Sequence, residues 1–286
     1  MSDEVKCRKV KAAPIGTVVV MLVIPMLIWV IAWLAHVDIG LLRIGKLGTA
    51  NAFLLVIGLL TAFCFVVGRA VTGLWRGLLI DDRNWISLSR LQTVMWTVVV
   101  VSAILVAAFG NIAAAPDQEN PLKEGPLDFR IPEEIWLALG ISVTSLIGSP
   151  LIRSTKKERP PNQDELNRTM EAFKAQGDTS MSNQGQLLTW KCPEHARWGD
   201  LFRAEEVGNG AHLDLGKVQN FYFTLILVLA YAQALFALFA SHDTTRHLIT
   251  DFPGMSGGMA ALMAISHGAY LANKARPQSQ PGSAGG

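Results

Sequence analysis

The chain has 286 residues, half of them apolar, and only 17% are charged. That composition excludes an ordinary soluble domain and points to an all-α polytopic membrane protein. A net charge of +2 is too small to argue for a nucleic-acid partner, so none is expected.

Residues 1–13 are polar and carry Lys6, Arg8, Lys9 and Lys11. The apolar run 14–35 reads as a first membrane span. It is too long for the core of a signal peptide and lacks a small-x-small cleavage site at its end. Trp29 and Trp33 sit near its far end, where amphipathic rings favour the interface. A second span is expected over 50–67. A polar elbow, 70–87, then leads to a third span over 88–112, with Ser87 placed to cap it. After a Pro-rich loop, Pro132 with Glu133 and Glu134 suits a helix start, and a fourth span follows over 135–152. Residues 154–200 form the one substantial polar insert. A short helix is expected over 164–174, a flexible stretch over 176–186, and Trp190 and Trp198 against the membrane surface. A second elbow, with Asp214 as its cap, feeds a fifth span over 218–240. A short loop separates it from a sixth span over 255–272, and the Gly/Pro/Ser-rich tail is expected to be disordered.

The two elbows repeat one another. Shifted by 127, Leu74 meets Leu201, Arg76 meets Arg203, Leu88 meets Leu215, Gln92 meets Gln219 and Thr97 meets Thr224. The fourth and sixth spans correspond at a shift of 124, where the Gly140-Ile-Ser142 block lies over Ala264-Ile-Ser266. Each repeat is thus an elbow plus two spans. The expected organisation is an N-terminal two-helix membrane hairpin over 1–68, repeat A over 69–153, an insert over 154–199, repeat B over 200–274, and a tail over 275–286. Spans three to six make a pseudo-twofold bundle, with the first two packed outside it. With the N-terminus inside, 20 of the 25 Lys and Arg fall in inside segments. That bias predicts a cytoplasmic insert, both termini in the cytoplasm, a bacterial inner membrane, and parallel rather than inverted repeats.

The paired Leu88-Ser-Arg-Leu-Gln92 and Gly140-Ile-Ser142 blocks, with Trp198-Gly-Asp-Leu-Phe202 before the second elbow, resemble a group of uncharacterised bacterial membrane proteins. The resemblance covers roughly 50–275 and implies no activity.

Small residues recur every four positions in the fourth and sixth spans. Gly140, Thr144 and Gly148, with Ala260, Ala264, Gly268 and Ala272, predict a close-packed helix seam. Ionisable groups are all but missing from the spans, which weighs against a proton-coupled pump. His267 is the exception, read either as a ligand-touching group or as a neutral imidazole bonded to a neighbouring carbonyl. Gln92 and Gln219 are candidates for polar glue or a polar mouth, and Tyr231 and Gln233 lie deeper in the fifth span. Trp75, Arg76, Trp198, Phe202 and Arg203, together with Trp85 and Trp190, suggest a cytoplasmic docking face. Cys192 and His195 are the one close Cys/His pair and too few for zinc, so no metal or other cofactor is expected. Asp200, Arg203, Glu205 and Glu206 read as a solvated, salt-bridged turn. None of Cys7, Cys64 and Cys192 falls on the outer side, so no disulfide is expected.

Three functions follow. The leading one is a non-enzymatic module such as an oligomeric channel or passive conduit for ions or small solutes. The alternative is a scaffold or sensor that docks a cytoplasmic protein through the insert and elbows. More remote is an enzyme using Cys192 and His195. The lipid bilayer is the surrounding partner, with a homo-oligomer as a further option.

Overall fold

The computed structural model describes residues 7, 15–34, 48–114, 125–241 and 248–279. It is mostly helical. The helices are α1 (Ile15–Leu34), α2 (Thr49–Thr72), α3 (Leu88–Ala114), α4 (Glu133–Lys157), α5 (Gln163–Ala175), α6 (Leu215–Ser241) and α7 (Gly257–Ala275). A two-stranded antiparallel hairpin joins β1 (Met181–Gln184) to β2 (Leu187–Trp190). Four helices, α2, α3, α4 and α6, are long and apolar enough to cross a membrane. Their outward positions are apolar too: Leu54, Phe65, Val143, Ile147, Ile226 and Leu229 are exposed. A helix apolar on every face suits hydrocarbon on one side and protein on the other.

The ends of the helices carry the expected signals. Glu133 and Glu134 open α4 behind Pro132, and Lys156 and Lys157 close it, matching the helix dipole at both ends. Asp214 accepts the Lys217 N–H at the start of α6, as a capping carboxylate should. Helix α2 runs one turn further than its apolar stretch and stops at Gly73. That residue takes a left-handed conformation (φ 76°) so that its N–H closes onto the Arg69 carbonyl.

Helix α3 is the hub. It packs against α1, α2, α4 and α6, while α4 packs against α7 and α6 against α7 and α2. The core between them buries Phe53, Trp96, Ala103, Val106, Ile135, Leu235 and Phe239. At one end of the bundle, Arg130 and Thr250–Phe252 exchange backbone hydrogen bonds. There Asn111 clamps Ile249 by donating to its carbonyl and accepting its N–H, both at 2.8 Å.

At the other end the polar segments form one module. The first elbow, α5, the β-hairpin, the second elbow and residues 276–279 all belong to it. Leu188 N–H donates to Glu205 O, Val207 N–H to Gln186 O, and Trp190 N–H to Arg83 O. Its own apolar centre is Trp85, Phe173, Met181, Leu188, Trp190 and Val207.

Three expectations change here. The stretch 176–186 is not a flexible linker, because β1 and its turn to β2 lie within it. The insert is not separate from the second elbow, because the bonds at Glu205 and Val207 knit them together. The tail begins ordered: the N–H groups of Gln278 and Ser279 both donate to Glu206 Oε2 at 2.9 Å. Residues 280–286 lie outside the described residues, as do 242–247 of the loop before α7.

Candidate functional site

Two polar constellations stand out. The first is a buried ion-pair chain where the module meets the helix ends. The Asp81 carboxylate, from the first elbow, receives Arg83 and Arg153, each at 2.9 Å. Arg83 continues to Glu205 of the second elbow at 3.3 Å. Glu205 in turn receives Lys217 of α6 at 2.8 Å and Lys274 of α7 at 2.9 Å. Beside it, Lys156 meets Glu206 at 2.5 Å and also donates to the carbonyls of Lys274 and Arg276. Asp82, at the rim, takes Arg153 at 2.7 Å and pairs with Lys157. The turn expected to be solvated is therefore salt-bridged but buried. Arg83, Arg153, Lys156, Lys217 and Glu206 are each 4% exposed or less.

Burial by itself would raise the Asp81 carboxyl, but Arg83 and Arg153 outweigh it and hold Asp81 at about 2. Glu205 is likewise buried and is held well below the carboxylate range by Arg83, Lys217 and Lys274. Asp200 goes the other way. Its burial outweighs the bonds it accepts from Arg197 N–H and Trp190 Nε1 and raises its pKa. A cavity of about 320 Å³ lies beside the network, lined by Arg153, Lys156, Glu205, Glu206, Lys217 and Lys274.

The second constellation is a polar belt inside the helix core. His267 of α7 sits between Ser145 Oγ of α4, 2.7 Å from its Nδ1, and Thr224 Oγ1 of α6, 3.4 Å from its Nε2. Gln92 of α3 donates to the same Thr224 oxygen at 2.8 Å and to Asn220 O at 3.3 Å. Thr93 donates to the Ser142 carbonyl, and Ser266 to Asn220 Oδ1. All four core helices are thus stitched by side chains that lipid could not satisfy. The Ser145–His267 pair has the spacing of a nucleophile and its base. Ser145 is fully buried, so in this conformation no substrate reaches it.

The sequence candidates divide. Gln92, Tyr231 and His267 lie buried in or beside the belt. Tyr231 rests against the Trp96 ring, 6.1 Å between centroids. The partner of His267 is a serine hydroxyl, not the carbonyl expected. Gln219 and Gln233 are exposed. Gln92 and Gln219 do not bond to each other: Gln92 serves as interhelical glue to Thr224 and Asn220, and Gln219 lies exposed on α6.

The small-residue seam is also corrected. Gly140, Thr144, Ala264, Gly268 and Ala272 face away from the rest of the chain, and a methyl group added at Gly140 or Gly268 would meet nothing within 4 Å. A methyl group added at Gly148 would meet only Leu271, at 3.8 Å, and Ala260 is half-buried. The face of α4 that packs is Ile135, Ala138, Ser142, Ser145 and Ser149. On α7 it is Met263, Ser266, His267 and Tyr270. Hydrogen bonding favours the serine face, because the Ser145 and Ser149 hydroxyls find partners across the seam in His267 and Ser89, and glycine offers none.

The docking face is broken up as well. Trp85 and Trp190 are buried in the module. Arg76 donates to the Glu194 carbonyl, Phe202 is covered edge-on by Phe221, and Arg203 lies over the Phe173 ring. Of that set only Trp75 and Trp198 remain exposed among the tryptophans, each by 55%.

Cys192 is bonded to Cys7 in a disulfide, against the expectation of none, and is fully buried. It is therefore not the free thiol a Cys192/His195 nucleophile requires. His195 lies against the Trp190 ring instead. Among the described residues, no group of three or more His, Cys, Asp or Glu is placed to hold a metal ion.

Sequence could have flagged the ion-pair chain, because Asp81-Asp82-Arg83 and Glu205-Glu206 occupy the two elbows. The helices and this geometry define a mostly helical, membrane-like protein with a polar module at one end of the bundle. No known protein family, curated protein or solved structure matches the chain.

Proposed function

We propose that the chain is a membrane scaffold or sensor whose extramembrane module presents a docking surface and moves as one body with the helices beneath it. The observation that carries this reading is the chain Arg153–Asp81–Arg83–Glu205, which ties both elbows to α4 and, through Lys217 and Lys274, to α6 and α7. Charges buried this far from water are costly to separate. A push on the module is therefore passed to three helix ends rather than absorbed by a loop. The test is a photo-crosslinking residue placed at exposed Arg168, Glu171 or Lys174 of α5 in intact membranes. A discrete crosslinked partner is expected. No crosslink from any of the three, with the chain folded, sinks the docking reading.

The finer architecture belongs to the same proposal: six spans, with α3–α4 and α6–α7 as parallel duplicated units. In its support, Thr93–Ser142 and Asn220–Ser266 are hydrogen-bonded pairs at positions related by the two sequence shifts. The excess of Lys and Arg on the module's side supports a cytoplasmic location for it and for both termini. Cytosolic disulfides are commonly transient or redox-sensing, so Cys7–Cys192 is a candidate input to the sensor.

A conduit is the second reading. It draws on buried polar atoms that lack partners in and beside the belt: Gln92 Oε1, Asn220 Nδ2, Ser142 Oγ and Tyr231 OH. In this reading, water passing between the helices bonds to them in turn. Solute or ion flux through reconstituted vesicles checks it, and a sealed vesicle under every condition tried counts against it.

A further inference from the structure

An apolar groove opens on the side of the bundle, between α2, α3 and α6, just below the module. Cys64, Leu91, Val98 and Leu229 form its walls, and Trp75 and Trp198 close its upper end. Its volume is about 290 Å³, and no lining residue is acidic. Val98 lies ten residues into α3, roughly 15 Å from its start at 1.5 Å per residue. That reaches about half of a hydrocarbon layer of roughly 30 Å. Two arginines stand beside Trp75 at the mouth, although neither lines the groove itself. The Arg69 guanidinium sits 4.7 Å from the centre of the Trp75 ring, and Arg69 itself is exposed. Arg76, next to Trp75 in the chain, turns one nitrogen to the Glu194 carbonyl and leaves its buried Nε without a partner.

We propose that this groove is a binding site for an anionic phospholipid. One acyl chain lies along Cys64, Leu91 and Val98, and the phosphate is held at the interface by Arg69 and Arg76. Tryptophans at the depth of the headgroups suit the boundary between chain and phosphate. The two arginines beside the groove, whose own lining carries no charge, supply the charge preference, since guanidinium binds phosphate oxygens through paired N–H donors. The site rests on the membrane reading alone and stands whether the module docks a partner or not.

Cys64 reports on the groove directly, because it is the one cysteine outside the disulfide. The full chain is reconstituted into phosphatidylcholine vesicles with or without phosphatidylglycerol, and alkylation of Cys64 by a membrane-permeant maleimide is timed. Phosphatidylglycerol is expected to slow the wild-type reaction several-fold. Arg69→Gln with Arg76→Gln is expected to abolish that difference while the helical signal reports a folded chain; the Cys7–Cys192 pair is oxidised beforehand, so that Cys64 is the one reactive thiol. Equal wild-type rates in the two lipids overturn the proposal. So does protection that survives in the double variant, because a bulk surface-charge effect on the thiol would persist there.

Discussion

Arg83 of the first elbow is paired with Glu205 of the second at 3.3 Å, and the arginine side chain is only 2% exposed. The contact spans 122 residues of sequence and closes the module around the helix ends. Substituting Arg83→Met is expected to destabilise the fold by about 3–5 kcal/mol, the usual cost of stranding a buried charge. The lower end applies, because Asp81 keeps Arg153 and Glu205 keeps Lys217 and Lys274. Denaturant titration in detergent measures it. A change below about 1 kcal/mol, the level of an exposed pair, would show that water reaches the network.

The same network sets an acid limit. Asp81 is held at about 2 and Glu205 well below its ordinary 4.5. Groups with depressed pKa values stabilise the fold fully above their unfolded values and lose that contribution as pH falls through the folded ones. The module is therefore expected to weaken from about pH 4.5 down to about 2. Asp200 partly offsets the loss, because its raised pKa means that protonation relieves a cost. Melting curves at descending pH check this. Asp81→Asn should flatten the dependence.

The belt and its sequence counterpart separate cleanly. Gln92→Met removes an interhelical bond to Thr224 but also a buried oxygen without a partner. The net cost is expected to be under about 1 kcal/mol, as for other hydrogen bonds between membrane helices. Gln219→Met, at an exposed position, should cost nothing measurable. Unfolding by graded detergent, followed by circular dichroism, compares the two. A large effect at position 219 would mean that its exposed face is covered by something outside this chain.

Helix α4 offers a test of which face packs. Gly140→Leu is expected to be tolerated, because nothing stands within 4 Å of the added carbon. Ser145→Leu should cost about 1–3 kcal/mol from overpacking, plus the bond to His267. The reverse order in thermal melts would restore the small-residue seam.

Cys7 and Cys192 give a test of sidedness. If the module is cytoplasmic, intact cells should hold the pair largely reduced, and oxidant should convert it within the folded chain. Gel-shift alkylation before and after reductant measures this. A pair fully oxidised in unstressed cells would place the module on the opposite side.

Much of the architecture was legible before any coordinates. Long apolar runs have no stable home in water, so their lengths and flanking charges located the helices within a few residues, and Pro132 and Asp214 marked starts through local chemistry; the Asn162 cap of α5 went unread. Those signals act within a turn or two of chain. What sequence could not supply was rotation about each helix axis. In lipid both faces of α4 are apolar enough, so glycine spacing and serine spacing competed on equal terms. Only the hydroxyl partners across the seam, such as Ser145 and His267, decided between them. The burial of Arg83, the break between Gln92 and Gln219, and the meeting of Cys7 with Cys192 were tertiary outcomes for the same reason. Each depends on which distant side chain arrives to satisfy a charge, an amide or a thiol.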